Sequence, residues 1–384
     1  MAFINAVSFT IIIPVLYPYA KQFGLSDFEA SLLTTAYAAA QFIGTPILGR
    51  LSDRMGRKPL LIISLLGTVV ANLMASLAPF AWFLVIARVL DGVTGGNNSI
   101  AQAIISDITS PAQRTKAFGI FGATFRLGFV AGPPLSYLAQ LVPPLPGFSS
   151  LGMSFVVSAA IALIATVLCA IFLPETHQVC DKFELAWSDL KLGRILKSLR
   201  HPQLGRVFLL TFLSGFTFTI FTFAFQPFFL TVLGQTPGRL ALMFAMFGII
   251  GFMTQVFALE PLRKQFNIVT ILAFMLAARG ILFLLIPTFP TIGAFVLITI
   301  VFGAVNSFPL PLIESILSLR SGPQEQGEVL GTNASFLSLS NAIGPATAGL
   351  LVSFGYSFPF WVTGVLTVGV AGFALSLRQA EPTG

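Results

Sequence analysis

Twelve stretches of this 384-residue sequence are long and apolar enough to cross a bilayer as helices: 3–20, 31–51, 59–78, 81–104, 117–141, 151–173, 206–231, 238–258, 268–287, 291–318, 328–353 and 359–377. A helical span needs ~20 largely apolar residues for ~30 Å of hydrocarbon. A transmembrane barrel would instead show ~10-residue alternating segments, which this sequence lacks. The fold class read from it is an all-α membrane protein with twelve transmembrane helices. Charged residues make up 9% of the chain, where a soluble domain carries ~25%. That excludes a cytosolic enzyme, a disordered tail and a nucleic-acid binder. Two cysteines (Cys169, Cys180) and two histidines (His177, His201) build neither a disulfide framework nor a haem or zinc site. No metal, no cofactor and no nucleic acid are expected.

The cations set the orientation. Sixteen of the 21 Lys and Arg fall in the loops after even-numbered spans or after the last span, Arg50, Arg54, Arg57, Lys58, Arg114 and Arg263 among them. The opposite side holds only Lys21 and Arg239, and Arg88, Arg126 and Arg279 lie inside spans. Basic loops stay cytoplasmic, so both termini are expected inside, and the net charge of +7 reflects topology. No signal peptide is read at the N-terminus. The first span reaches only about 27 Å at ~1.5 Å per residue.

The longest polar stretch divides the chain into two sets of six spans: 1–173, a basic amphipathic linker at 174–205 expected on the cytoplasmic face, and 206–384. The halves repeat. Ser110-Pro111 through Gly132-Pro133 to Leu138 runs without a gap beside Gly322-Pro323 through Gly344-Pro345 to Leu350, at an offset of 212. Pro14 is matched with Pro227 at an offset of 213. Internal repeats of this size suggest a secondary transporter, with its substrate site between repeats near the midplane.

Three motifs carry mechanism. The first is Gly49-Arg50-Leu51-Ser52-Asp53-Arg54-Met55-Gly56-Arg57-Lys58-Pro59, between spans 2 and 3. Gly49 is read as allowing close helix approach and Gly56 as allowing a tight turn. Asp53 is placed to hold a helix start or to pair with Arg57, with Asp107 and Arg114 as partners across the next cytoplasmic turn. The second-half equivalent, Leu259 to Asn267, lacks the acid and both glycines, so gating contacts should be asymmetric. The second motif is Arg88-Val-Leu-Asp91-Gly92-Val-Thr-Gly95-Gly96-Asn97-Asn98 in span 4. Arg88, Asp91, Gly95, Asn98 and Gln102 recur at helical steps, and a polar stripe on a span faces protein or water. This stripe is read as cavity lining, matched in span 10 by positions beside Asn306 and by Glu314. The third is Gly128-Phe-Val-Ala-Gly132-Pro133-Pro134-Leu-Ser136 in span 5. Glycines four apart allow tight packing, and Pro133 bends the helix.

The first motif resembles the GxLaDrxGrkxxl signature of the major facilitator superfamily almost position for position. The motif of span 4 is similar to that family's helix 4 motif. The one in span 5 resembles the GxxxGPxxG motif of drug:proton antiporters, with Ser136 in place of the last glycine. Ile13-Pro14-Val15-Leu16-Tyr17-Pro18 is similar to the proline motif of twelve-helix drug efflux proteins. The resemblance covers nearly the whole chain. It implies two six-helix bundles and alternating access, with the first motif locking the cytoplasmic gate while the transporter faces outward. It also implies a departure: proton-coupled relatives often carry an acid in the first span where Asn5 stands here.

Buried charge narrows the proton site. Asp91 lies about 16 Å from the outer face and Arg126 about 13 Å from the inner one, at ~1.5 Å per residue, so the two are expected to pair. Asp91 is the first proton-site candidate, with Arg88 beside it, and Glu314 the second. Arg279 sits mid-span and is expected on the outside of the bundle, snorkelling or packing. The phenylalanines of span 7, with Gln226, suit a bulky amphipathic ligand. Asn5, Arg126, Asn98, Gln102, Gln226 and Asn306 complete the expected cavity lining. The reading is a monomeric exporter of a small amphipathic organic compound that exchanges it for protons in a prokaryotic inner membrane. Two other readings stand beside it. One is uptake or facilitated diffusion of a metabolite, anionic if it balances the midplane cations. The other is a non-transporting membrane sensor or enzyme, for which no nucleophile–base pair or phosphate loop speaks.

Overall fold

A computed structural model describes residues 2–176, 197–322 and 325–378, apart from the side chains of residues 2, 111, 112, 114–116, 125, 126 and 326–328. The side chains of Arg114 and Arg126, and most of the linker with His177 and Cys180, therefore lie outside the described residues. The described residues are helical, with no strand among them. In chain order the helices are α1 (Ala2–Gln22), α2 (Asp27–Met55), α3 (Arg57–Ser76), α4 (Ala81–Thr94), α5 (Asn97–Ile108), α6 (Pro111–Leu141), α7 (Gly152–Phe172) and α8 (Gly205–Pro227). They continue with α9 (Pro237–Phe257), α10 (Leu259–Gln265), α11 (Ile268–Thr288), α12 (Ile292–Asn306), α13 (Pro309–Arg320), α14 (Gln326–Val352) and α15 (Phe358–Leu375).

Nine of these elements, some running through a short break, are long and apolar enough to cross a membrane. The other three spans are α2, α6 and the α4–α5 pair, whose polar residues carry the motifs. Spans 4 and 10 are each interrupted, at Gly95–Gly96 and at Ser307–Phe308. Consecutive glycines weaken the first helix. At the second break, Pro309 opens α13 at a position where a missing N–H costs nothing. Local sequence sets other ends as well. Ser26 and Glu29 form a capping box at α2, Ser26 Oγ accepting from the Glu29 N–H at 3.2 Å and Glu29 accepting from the Ser26 N–H at 2.8 Å. Asn267 caps α11 by accepting from the Val269 N–H at 2.9 Å. Pro227 ends α8 in a five-residue π turn, Phe228–Val232.

The exterior is apolar. Ile63, Leu66, Val70 and Leu73 of α3 and Leu77 just beyond it are all exposed, at steps of three and four that draw one stripe along the helix. Phe257, Phe274, Leu297, Trp361 and Val365 are exposed on other spans. Apolar surface of this extent marks a membrane-facing molecule, and the chain is a multi-pass integral membrane protein.

The chain packs as two compact units, Met1–Leu190 with Pro237–Ala245, and Lys191–Thr236 with Met246–Gly384. Their internal plans repeat. In the first, α1 packs on α6 and α3 on α7; in the second, α8 packs on α14 and α11 on α15. Gly132 of α6 lies against Thr10 of α1, and Gly344 of α14 lies against Thr219 of α8. These contacts correct one pairing. Gly132 and Gly344 are 212 apart, but Thr10 and Thr219 are 209 apart. Pro227 therefore corresponds to Pro18, one turn beyond Pro14. Each helix keeps its own register against its neighbour, and a proline match alone does not fix that register.

Candidate functional site

The loop between α2 and α3 is a clamp built inside the first unit. Gly56 is the single residue between the helices and has φ 93°, a backbone conformation that side-chain-bearing residues avoid. The turn brings Arg57 back over the end of α2. Its guanidinium is 8% exposed and lies 2.5 Å from Asp53 and 2.9 Å from Asp107 at the end of α5. It also donates to Ser52 Oγ at 2.6 Å. The N-terminus of α3 is held by a residue the motif reading missed. Glu175, just beyond α7, accepts from the Arg57 and Lys58 N–H groups at 2.9 and 3.1 Å. A carboxylate at a helix N-terminus satisfies orphan donors and complements the dipole. Its distance in sequence from the motif hid it. Gly49 does not make the close approach expected of it, since a Cβ there would meet only Ser99 Oγ, at 3.9 Å. The tight α2–α4 seam is made by Gly44 against Val93 and Gly92 against Tyr37, and Gly96 in the break after α4 lies against Leu48 of α2. Arg54 is exposed beside the clamp.

The break in span 4 divides its polar stripe. Above it, Arg88 and Asp91 pair at 3.1 Å with side chains 3% and 6% exposed. Arg88 donates to Asn72 Oδ1 of α3 at 3.0 Å and lies over the rings of Tyr37 and Phe155. Asp91 also accepts a hydrogen bond from Thr68. The partner of Asp91 is thus Arg88, one turn away on its own helix; the expected pairing with Arg126 rests on a side chain outside the described residues. Below the break, Asn97 Nδ2 donates to Asn5 Oδ1 at 2.9 Å, and Asn5 Nδ2 to Asn98 Oδ1 at 3.4 Å. Asn97, another residue passed over, links α1 to the start of α5. Gln102 is exposed. The stripe therefore serves two purposes: a sealed ion pair against α2, α3 and α7, and an amide junction against α1.

The glycine motif of α6 does pack tightly. A Cβ on Gly128 would collide with Ala6, and one on Gly132 with Thr10. Thr10 Oγ1 donates to the Gly128 carbonyl at 2.9 Å across this seam. Pro133 lies inside the continuous α6.

In the second unit Arg279 overturns its expected place. It is at the middle of α11 and 2% exposed, so it neither faces outward nor snorkels. Its Nη2 donates to the Ser214 carbonyl at 3.1 Å, Ser214 Oγ at 3.2 Å and Thr217 Oγ1 at 3.1 Å. Its Nη1 donates to Asn306 Oδ1 at 3.3 Å. Among the described residues its hydrogen-bond partners are all neutral, and Nε has none. A charge at the bilayer centre costs ~2.5–3.5 kcal/mol even on insertion scales, so holding this cation among neutral partners is expensive. Phe221, Phe225, Phe228, Phe283, Phe295 and Phe302 are buried and stack on one another, so they form the core of this unit rather than a ligand wall. Gln226 is buried among them, its Nε2 3.4 Å from the Thr222 carbonyl and its Oε1 without a partner. Glu314, on α13, is partly exposed.

Comparison with known proteins agrees with this geometry. The family model described as Major Facilitator Superfamily matches residues 1–258 and 207–384. The chain is 28% identical over 372 residues to multidrug resistance protein 1 of Bacillus subtilis, covering 96% of this chain and 92% of that one. It is 25% identical over 393 residues to the class B tetracycline resistance protein of Escherichia coli, covering 97% and 91%. Among solved structures, a bacterial homolog of the human lysosomal transporter Spinster matches with a TM-score of 0.76 at 15% identity, over 99% of this chain and 95% of that one. The human organic anion transporter TETRAN matches with a TM-score of 0.72 at 20% identity, over 97% and 96%. A repeated six-span plan and a family model matched across the whole chain lead to one conclusion: the chain belongs to the Major Facilitator Superfamily, as a membrane transporter and not an enzyme.

Proposed function

We propose that this protein exports a small amphipathic organic compound in exchange for protons, by alternating access, as a monomer in a prokaryotic cytoplasmic membrane with both termini inside. The observation that carries this reading is the full-length similarity to multidrug and tetracycline resistance proteins. The tight α1–α6 glycine seam supports it. Residues 1–173 and 206–384 act as two six-span bundles, with 174–205 as a cytoplasmic tether.

The Arg57 clamp, with Asp53, Asp107 and Glu175, closes the cytoplasmic end of the first bundle in the outward-facing state. Asn5 releases no proton, so coupling falls to a carboxylate inside a span. Among the described residues these are Asp91 and Glu314. Protonation of Asp91 would leave Arg88 without its counter-charge and loosen the α3–α4 packing. Glu314, partly exposed on α13, offers the more open route to water.

Everted membrane vesicles test the reading. Energised vesicles containing the protein should accumulate tetracycline or an amphipathic dye, and an uncoupler should release it. Accumulation that survives the uncoupler, or none across neutral, cationic and anionic compounds, overturns the proposal.

A further inference from the structure

Among its described residues, the second unit holds a buried cation with no counter-charge in hydrogen-bond contact. Arg279 is 2% exposed, and its four hydrogen-bond acceptors are a carbonyl, two hydroxyls and an amide. Three of the four crowd Nη2, which has only two hydrogens. Nη1 is left with its one contact to Asn306, the longest of the set at 3.3 Å, and Nε is left with none. A guanidinium recognises carboxylates and similar oxyanions through its planar fork of donors. Burying a charge without a partner is costly, and buried charges are accordingly found paired.

The partners of Arg279 differ in exposure. Ser214 and Thr217 are buried at 5% and 1% exposure, and they fix Nη2 from α8. Asn306 is partly exposed at the last residue of α12, where span 10 is interrupted. An anion arriving from that side meets the weakest contact first.

We propose that Arg279 is a monovalent-anion site, taking the carboxylate or comparable acid group of the transported compound, or an inorganic anion of the same charge, in place of the Asn306 amide. With an organic occupant the site deepens the export reading by assigning the cargo a negatively charged group. It is tested by binding alone, so a failure of transport and a failure of this site appear in different measurements.

The experiment follows thermal unfolding of the full chain in detergent, with sodium benzoate and sodium chloride as separate probes at equal ionic strength, each compared with Arg279→Gln at the same salt so that general salt effects cancel. An anion at ten times its Kd should raise the melting temperature by about 3–6 °C. Arg279→Gln should abolish the rise and Arg279→Lys retain part of it. Asn306→Asp gives Arg279 an internal partner, so that variant should melt higher than the parent without added anion and show no response to either probe. It keeps the test decisive if Arg279→Gln fails to fold. A rise with benzoate and not chloride assigns the site to an organic acid; an equal rise with both assigns it to an inorganic ion and removes the inference about cargo charge. No rise with either probe, or a rise unchanged in Asn306→Asp, overturns the site.

Discussion

Removing one member of the Arg88–Asp91 pair should damage the first unit far more than removing both. The two groups lie 3.1 Å apart with side chains 3% and 6% exposed. At an effective dielectric constant of ~20 their attraction is about 5 kcal/mol, most of it offset by desolvation. Asp91→Asn keeps the shape and the capacity to bond Thr68, yet leaves a buried guanidinium facing Asn72 and two rings. Breaking a buried pair in this way costs ~3–5 kcal/mol. For a unit of this size each kcal/mol lowers the melting temperature by roughly 2–4 °C, so the single variant should melt at least ~6 °C lower. Arg88→Met combined with Asp91→Asn removes both charges and keeps most of the volume. It should recover most of that loss, because a buried ion pair and an apolar replacement are close in free energy. Differential scanning fluorimetry of the purified parent, the two single variants and the double variant completes the cycle. Additive losses, or a single variant that melts with the parent, would refute the view that this pair is sealed and mutually dependent.

Other consequences follow from the same contacts. Glu175→Ala removes the cap on α3 and should cost roughly 1 kcal/mol, visible as faster amide exchange in the first turn of α3 and unchanged exchange in α11. Gly132→Val and Gly344→Val drive a branched side chain into Thr10 and Thr219 and should each reduce the folded yield in size-exclusion chromatography. Gly119→Ala and Gly331→Ala, where a Cβ meets nothing within 4 Å, should not. The Glu29 carboxylate is held below its usual range chiefly by the Ser26 N–H. Its contribution to the α2 cap is therefore complete above the unfolded carboxylate pKa and is lost as pH falls through the lower folded value. Protection of the α2 first turn should drop in acid in the parent, and Glu29→Gln should flatten that dependence.

Much of this molecule can be read from residue order alone. Apolar length placed most of the spans, because a bilayer imposes one dimension on every helix, but α2 (Asp27–Met55) and α6 (Pro111–Leu141) run past the apolar stretches 31–51 and 117–141. The clamp was legible because Gly56, Asp53 and Arg57 sit within one turn of each other. Glu175 was not, since it reaches α3 from beyond α7, and nothing local marks a carboxylate as another helix's cap. The stripe from Arg88 to Gln102 resembled one face because helical spacing assumes an unbroken helix; Gly95–Gly96 interrupts it and sends Asn97 toward Asn5. Arg279 misled for a related reason. In a uniformly apolar span the sequence carries no amphipathic signal to show which side is inside, and the Ser214 and Thr217 hydroxyls that receive the guanidinium belong to a distant helix. Phe221, Phe225 and Phe228 of span 7 proved to be core on the same ground, while Phe212, Phe216 and Phe218 are partly exposed, since a large ring reads alike whether it meets lipid, ligand or another ring.

Coupled transport in liposomes is the most direct measurement of the central claim. Purified protein would be reconstituted with a pH-sensitive dye trapped inside, and gradients of tetracycline, an amphipathic cation and benzoate would be imposed in turn. The account predicts proton movement opposite to at least one of these compounds, with the proton signal lost in Asp91→Asn or in Glu314→Gln. Substrate flux with no proton signal, or proton exchange intact in both variants, would contradict it.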